Sequence, residues 1–182
     1  MQKIIVWKNS TINTTEFVSI EKEEMTTVKG YITGEGFGKP WLVRYTLTLN
    51  PRWEAQTVII EVMSEQNYTI ELYKNDLQQW LNEKGEHLKA FDGCVDVDIS
   101  FTPFTNSLPI NRLQLTKGEG QNISVVWVDI KNGDVKRVKQ RYLNKGSKIY
   151  KYENEHSGYI SELIVDDEGY VVDYPGVWQK IY

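Results

Sequence analysis

Apolar and polar residues alternate along most of the chain, and turn-forming residues separate the alternating runs. In the run WLVRYTLTL, every second residue from Trp41 to Leu49 is apolar or aromatic, and most of the residues between them are polar. Successive side chains of a strand point to opposite faces, so this spacing predicts one buried face. The runs QTVIIEVM and YTIELYK repeat the pattern and predict two more strands of the same kind.

From Ile123 onward, the pattern predicts short consecutive strands joined by compact turns. The runs are ISVVWVDI, VKRVKQRYL, KIYKYE, YISELIV and YVVDY. The dipeptide Asn132-Gly133 separates the first two runs and favours a hairpin in which both central residues have positive φ. Helical patterns are scarce: FTNSLPINRL predicts one short helix after its proline, and IEKEEM predicts a turn. We therefore expect a mainly β (α+β) fold of antiparallel strands.

The length and the charge of the chain limit the number of domains and the kinds of partner that we expect. A chain of 182 residues is long enough for one well-buried core and short for two, so we expect a single domain over 1–182. The formal charge of −4 and the pI near 5.3 oppose a nucleic-acid partner. The basic run KRVKQRY alternates as a strand with one solvated face does.

The N-terminal sequence and the cysteine content predict a cytoplasmic protein without a transmembrane segment. The apolar run in MQKIIVWKNS is four residues long, too short for a signal peptide or a spanning helix. A single cysteine, Cys94, cannot form an internal disulfide, which agrees with a reducing compartment. Its position beside an apolar strand predicts a small buried side chain and not a nucleophile.

Motifs for cofactors and metals are incomplete. The cluster GEGFGKP has neither the spacing of a phosphate-binding loop nor that of a dinucleotide fold, and it predicts a hairpin loop. The two histidines, His87 and His156, have no second ligand at zinc-binding spacing. We therefore predict no cofactor, no metal and no catalytic nucleophile.

Asp96 and Asp98 are the candidate functional residues of the chain. Two residues apart on a strand, they point to one face, opposite Val97 and Ile99. If that face is open to water, they are ordinary surface charges. If it faces an interior, they need hydrogen-bond or cationic partners, and Arg112 and Arg141 are candidates. Glycoside hydrolysis by the pair is a third interpretation, although two acids on one strand do not by themselves flank a scissile bond.

Three stretches of the sequence resemble a bacterial glycolipid-binding domain family. They are DGCVDVDISFTPFTNSLPINRL, VKQRYLN and LIVDDEGYVVDYPGVWQ, and the segment YTLTLNPRWEAQTVIIEV fits the family's pattern around Trp53. The resemblance covers nearly the whole chain. It implies a strongly curved antiparallel sheet, a spiral β-roll or partly open barrel, with a few short helices, similar in shape to bacterial lipoprotein carriers. The family's label itself derives from that likeness of shape.

The resemblance also implies a ligand and a set of ligand-binding residues. The ligand would be a glycolipid or another amphiphilic small molecule, held in the interior of the rolled sheet by polar groups and aromatic rings. Two alternatives stay open: an enzyme that acts on a sugar or lipid through the paired aspartates, and a scaffold that binds a protein. A purely structural role for TPFTN and YPGVW is open as well. The candidate site residues are Asp96, Asp98, Thr102, Thr105, Asn106, Arg112, Arg141, Tyr142, Asp173, Tyr174 and Trp178.

Overall fold

The computed structural model describes residues 2–36, 39–65 and 67–182, and within them fourteen strands form one curved sheet. One α-helix, α1 (Ser107–Leu113), and two short 3-10 helices, Lys89–Phe91 and Phe104–Asn106, accompany the sheet. The strands are β1 Gln2–Asn9, β2 Thr14–Lys22, β3 Thr26–Gly36, β4 Lys39–Leu49, β5 Ala55–Met63, β6 Tyr68–Lys74, β7 Trp80–Leu81, β8 Asp96–Ile99, β9 Gly120–Asp129, β10 Asp134–Gly146, β11 Ile149–Asn154, β12 Tyr159–Val165, β13 Val171–Tyr174 and β14 Trp178–Lys180.

The two ends of the chain meet in the middle of the sheet. The strand order is β7-β6-β5-β4-β3-β2-β1-β14-β13-β12-β11-β10-β9-β8, so β1 pairs with both β2 and β14. Each half is a meander of neighbouring antiparallel strands, as the alternating sequence pattern predicts. The predicted mainly β, single-domain, strongly curved fold is confirmed.

The pairing of β8 with β9 is the exception, because these two strands run parallel. Parallel neighbours cannot be joined by a tight turn, and they need a crossover of about a dozen residues or more. Residues 100–119 form this crossover, which contains the second 3-10 helix and α1. Much of it is buried inside the curved sheet: Phe104 is fully buried and stacks on Tyr170, with ring centroids 6.3 Å apart.

Side-chain contacts join the two edges of the open sheet. Trp80 of β7 donates its indole N–H to the carbonyl of Cys94, just before β8, at 2.8 Å. Lys74 of β6 donates to the carbonyl of Val95 at 3.1 Å. The sheet therefore curves until its edge strands come close together, and no backbone ladder between the described residues of these two strands closes it.

The buried faces of the strands form one core. Every second residue of β4 from Trp41 to Leu49 is buried, as predicted, and Cys94 is buried beside them as a free thiol. Within the described residues, no helix has both the length and the apolar character needed to cross a bilayer.

Two local predictions are corrected by the structure, and a third lies partly outside the described residues. The Asn132-Gly133 hairpin has a loop of residues 130–133, and among these only Gly133 has a positive φ, 75°. Helix α1 begins before Pro109 and not after it, with the proline in its first turn, where the missing N–H costs no hydrogen bond. The predicted GEGFGKP loop joins β3 to β4, and its residues 37 and 38 lie outside the described part of the chain.

Candidate functional site

A cleft of about 480 Å³ opens at one end of the curved sheet. Strands β1, β8, β9 and β13 run in one direction, so their C-terminal ends and the turns that follow meet at this end. The cleft is lined by Asn9, Thr11, Ile12, Asp98, Ile99, Ser100, Phe101, Thr102, Asn106, Trp127, Asp129, Lys131, Tyr152, Tyr174, Val177 and Trp178.

Asp98 is a polar group of the cleft that lacks a cationic partner within the described residues. Thr105 donates its hydroxyl to Oδ1 at 3.1 Å, and Gln140 donates its side-chain amide to Oδ2 at 2.6 Å. Burial raises the pKa of the Asp98 carboxyl, and these two hydrogen bonds oppose the shift. The amide of Gln140 also bonds to the hydroxyl of Tyr152 at 3.0 Å, so Gln140 ties the carboxylate to the aromatic wall.

Aromatic side chains form the walls of the cleft. Tyr152, Tyr174 and Trp178 are buried, and Trp127 is half-buried. Lys136 lies 4.7 Å from the centroid of the Trp127 ring. Aromatic walls around a few hydrogen-bonding groups are the usual lining of a small-molecule site, because rings bury apolar area while polar groups fix orientation.

Asp96 lies on the same face of β8 as Asp98 but has a different partner. Arg112 of α1 holds it with two parallel hydrogen bonds, Nε to Oδ1 at 3.0 Å and Nη2 to Oδ2 at 2.6 Å. Burial raises the pKa of the Asp96 carboxyl, and the hydrogen bonds and charge of Arg112 oppose that rise. This ion pair anchors α1 to β8 and does not line the cleft.

Nine of the eleven residues predicted for the site lie in or directly behind the cleft. Those in its lining are Asp98, Thr102, Asn106, Tyr174 and Trp178.

A second group holds the lining in place. Thr105 bonds to Asp98, and the hydroxyl of Tyr142 donates to Asn106 Oδ1 at 2.9 Å. Asp96 and Arg112 fix the crossover from behind.

Arg141 and Asp173 do not join the site. Arg141 pairs with Glu153 at 3.2 Å, and no contact with either aspartate accompanies this pair among the described residues. Each of the two directly precedes a buried member of the predicted set on the same strand, Tyr142 in one case and Tyr174 in the other. Adjacent strand residues point to opposite faces, so these pairs could not share one cleft.

Glu16 is a buried acid of the interior that the sequence analysis missed. Its side chain is fully buried, and Tyr45 donates its hydroxyl to Oε1 at 2.7 Å. The Tyr45 hydroxyl also lies 3.4 Å from that of Thr102, which lines the cleft. The second oxygen, Oε2, has no hydrogen-bond partner, and burial raises the pKa of Glu16 to about 8.

The sequence does contain a pattern that could have identified Glu16 as an interior acid. It alternates with Val18 and Ile20 on β2, and a carboxylate in register with buried aliphatic residues marks an interior acid. Gly30 on the next strand makes the arrangement possible, since any Cβ there would overlap the ring of Tyr45.

For other residues of the cleft, the sequence contains no signal that would have identified them. Asn9 accepts three hydrogen bonds from residues 11 and 12 in the turn after β1. An asparagine with such bonds is typical of any turn and does not indicate a binding site. Trp127 and Tyr152 lie on strands whose patterns predict only sheet packing. Their place in the cleft follows from the curvature of the sheet. No group of three or more His, Cys, Asp or Glu side chains among the described residues is arranged to hold a metal.

A family model matches residues 4–180 of the chain, and the description of that family is "Putative glycolipid-binding". The chain belongs to this family. The match spans every strand of the sheet and both sides of the cleft.

A solved structure supports the same assignment. The crystal structure of a DUF1089 family protein from Pseudomonas aeruginosa aligns with a TM-score of 0.79 at 31% sequence identity, covering 90% of this chain and 91% of the other. No curated protein matches the sequence.

The buried Asp96–Arg112 pair should be far more important for stability than an exposed pair of similar geometry. We expect Asp96→Ala to lower the free energy of unfolding by about 3–5 kcal/mol, because it leaves the guanidinium of Arg112 without its counter-charge. Glu61→Ala is the control, since it removes the partner of the exposed Arg44 on the outer face. It should cost less than about 1 kcal/mol. Urea unfolding at pH 7 measures both, and equal losses would contradict the anchoring role.

Glu16 should make the fold less stable as the pH rises. The unfolded carboxyl ionises near its ordinary pKa of 4.5, whereas the folded one holds its proton up to about pH 8. Between these values, the wild type should lose up to about 1.4 kcal/mol of stability per pH unit relative to Glu16→Gln. Urea unfolding of both proteins from pH 5 to 8 tests this, with the exposed Glu65→Gln as control. Parallel curves for wild type and Glu16→Gln would show that the buried acid does not titrate in this way.

Proposed function

We propose that this protein binds a glycolipid or a similar amphiphile, with its hydroxylated head in the cleft at the end of the rolled sheet. The observation that carries the proposal is the combination of Asp98, Thr102 and Asn106 with five aromatic side chains in one cavity. Sugar hydroxyls need hydrogen-bond partners, and the apolar faces of a sugar ring pack on aromatic side chains. Membership of a family described as glycolipid-binding supports the same ligand class.

The size of the cleft defines how much of an amphiphile it can hold. A volume of about 480 Å³ lies within the range of about 300–1,000 Å³ for small-molecule sites. The interior beyond it is filled by core side chains such as Leu47, Ile60 and Phe104. The cleft therefore suits a head group and the first part of an apolar chain. Ile12, Phe101 and Val177 in its lining offer apolar contact for that chain.

The geometry gives less support to an enzyme that uses the paired aspartates. Glycosidases present two carboxyl groups to opposite sides of one bond. Here Asp96 is bound to Arg112 behind the crossover, and of the two aspartates only Asp98 lines the cleft. Binding without catalysis is accordingly the function we assign.

The proposed setting of this binding is the cytoplasm, with a small amphiphile as the partner. Cys94 is buried and unpaired, which suits a reducing compartment. The net charge of −4 gives no support to a nucleic-acid partner.

Binding of an alkyl glycoside should change the tryptophan fluorescence of the protein, whereas the free sugar should not. Burial of the alkyl chain supplies affinity at about 25 cal/mol per Å², and the sugar mainly sets orientation. The probes are octyl glucoside, below its micelle concentration, and glucose. Trp127→Leu should weaken octyl glucoside binding about two- to twelvefold, the equivalent of one lost ring contact of about 0.5–1.5 kcal/mol.

Trp53→Leu is the matched control, because Trp53 is also a half-buried tryptophan but packs on Tyr170, away from the cleft lining. It should leave the affinity unchanged. Absence of any response to octyl glucoside, or an equal loss in both variants, would refute binding in this cleft.

A further inference from the structure

Asp96 and Asp98 share one face of β8, yet their charges are balanced differently. Asp96 has a bidentate arginine. Among the described residues, the donors to Asp98 are both neutral: the hydroxyl of Thr105 and the amide of Gln140. A carboxylate removed from water costs much free energy unless a cation accompanies it, and the raised pKa of Asp98 reflects that cost.

No ion pair among the described residues joins Asp98 to a charged group of the cleft. Its lining contains Asp98, Asp129 and Lys131, so two acids and one base leave a formal charge of −1. Asp129 is engaged in its own turn, where it accepts the backbone N–H of Lys131 at 2.9 Å and the side-chain amide of Asn132 at 2.8 Å. Behind the lining, the charge of Arg112 is directed to Asp96. A free anion entering the cleft would meet net negative charge.

We infer that the missing cation is part of the ligand, so that the preferred head group is an amino sugar or another hydroxylated amine and not a phosphate or sulfate. This inference rests on the proposed function and narrows it to one class of amphiphile. Each oxygen of Asp98 accepts one described hydrogen bond, and a carboxylate oxygen has room for a second. An ammonium group can donate to these open positions.

The aromatic walls favour the same head group. The faces of tryptophan and tyrosine rings carry partial negative charge and attract cations within about 6 Å of the ring centre. Tyr152, Tyr174 and Trp178 surround the cleft into which Asp98 points. The same tryptophans and tyrosines can pack against the carbon face of a sugar, so one cleft accommodates both parts of an amino sugar.

A matched pair of probes tests the inference directly. Octyl glucoside and octyl 2-amino-2-deoxyglucoside share tail and ring and differ by one ammonium in place of one hydroxyl. At pH 6.5, isothermal titration of the intact protein should show the amino probe binding at least tenfold more tightly, because close charge pairs contribute about 1.5 kcal/mol or more. Asp98→Asn should bring the ratio of the two affinities close to one, whatever its effect on the absolute affinity for octyl glucoside.

Asp129→Asn is the control, since it removes a second acid of the same lining whose oxygens already bond to the turn. It should keep most of the preference for the amine. Thermal unfolding of each variant checks that it is folded, and Asp98→Glu, which keeps the charge, should retain a preference if Asp98→Asn is unstable. Equal affinity of the wild type for both probes would overturn the amine inference and leave the proposed function standing. Absence of binding by either probe would overturn both.

Discussion

The parallel pairing of β8 with β9 is the constraint on which the rest of the molecule depends. All the other neighbouring strands of the sheet are antiparallel, and most are joined by short turns. This one pair requires a crossover, residues 100–119, and the curved sheet encloses much of it. The crossover fills the interior, and its first residues leave β8 at the end of the sheet where the cleft opens.

The ion pair between Asp96 and Arg112 fixes the crossover at its helix. With α1 held against β8, the preceding segment places Thr105 on Asp98 and Asn106 on Tyr142. Thr102 comes close to the Tyr45 hydroxyl, which in turn bonds to Glu16. The crossover thus connects both halves of the sheet through polar contacts, and the cleft is the space left between them. Fully buried Glu16 and half-buried Asp98 have no cationic partner within the described residues, and burial raises the pKa of both carboxyls.

Much of the fold could be predicted from the sequence because period-two alternation reports directly on strands with one buried face. The direction of β8 could not be predicted, since alternation does not indicate which strand it pairs with. The shared face of Asp96 and Asp98 followed from spacing, and Arg112 was correctly expected as a partner. Arg141 is not a partner of either aspartate. Its neighbours Gln140 and Tyr142 are buried, so the side chain of Arg141 lies on the opposite face of the strand.

The residues that sequence analysis missed fall into two groups. Glu16 carried a readable signal, a carboxylate in register with buried aliphatic residues. Asn9, Trp127 and Tyr152 did not, because they come from strands far apart along the chain and meet only when the sheet curls. A cleft made by curvature is a tertiary property, and local pattern cannot reveal its lining.

The proposed binding of an amphiphile in the cleft at the end of the sheet can be observed directly through the indole N–H signals of the tryptophans. Trp127 and Trp178 line the cleft, whereas Trp7 and Trp80 donate to the carbonyls of Val171 and Cys94 elsewhere in the core. In a two-dimensional ¹⁵N–¹H spectrum titrated with octyl glucoside, the signals of Trp127 and Trp178 should move and those of Trp7 and Trp80 should stay fixed. Movement of Trp7 or Trp80 with Trp127 and Trp178 unchanged would contradict binding in the cleft.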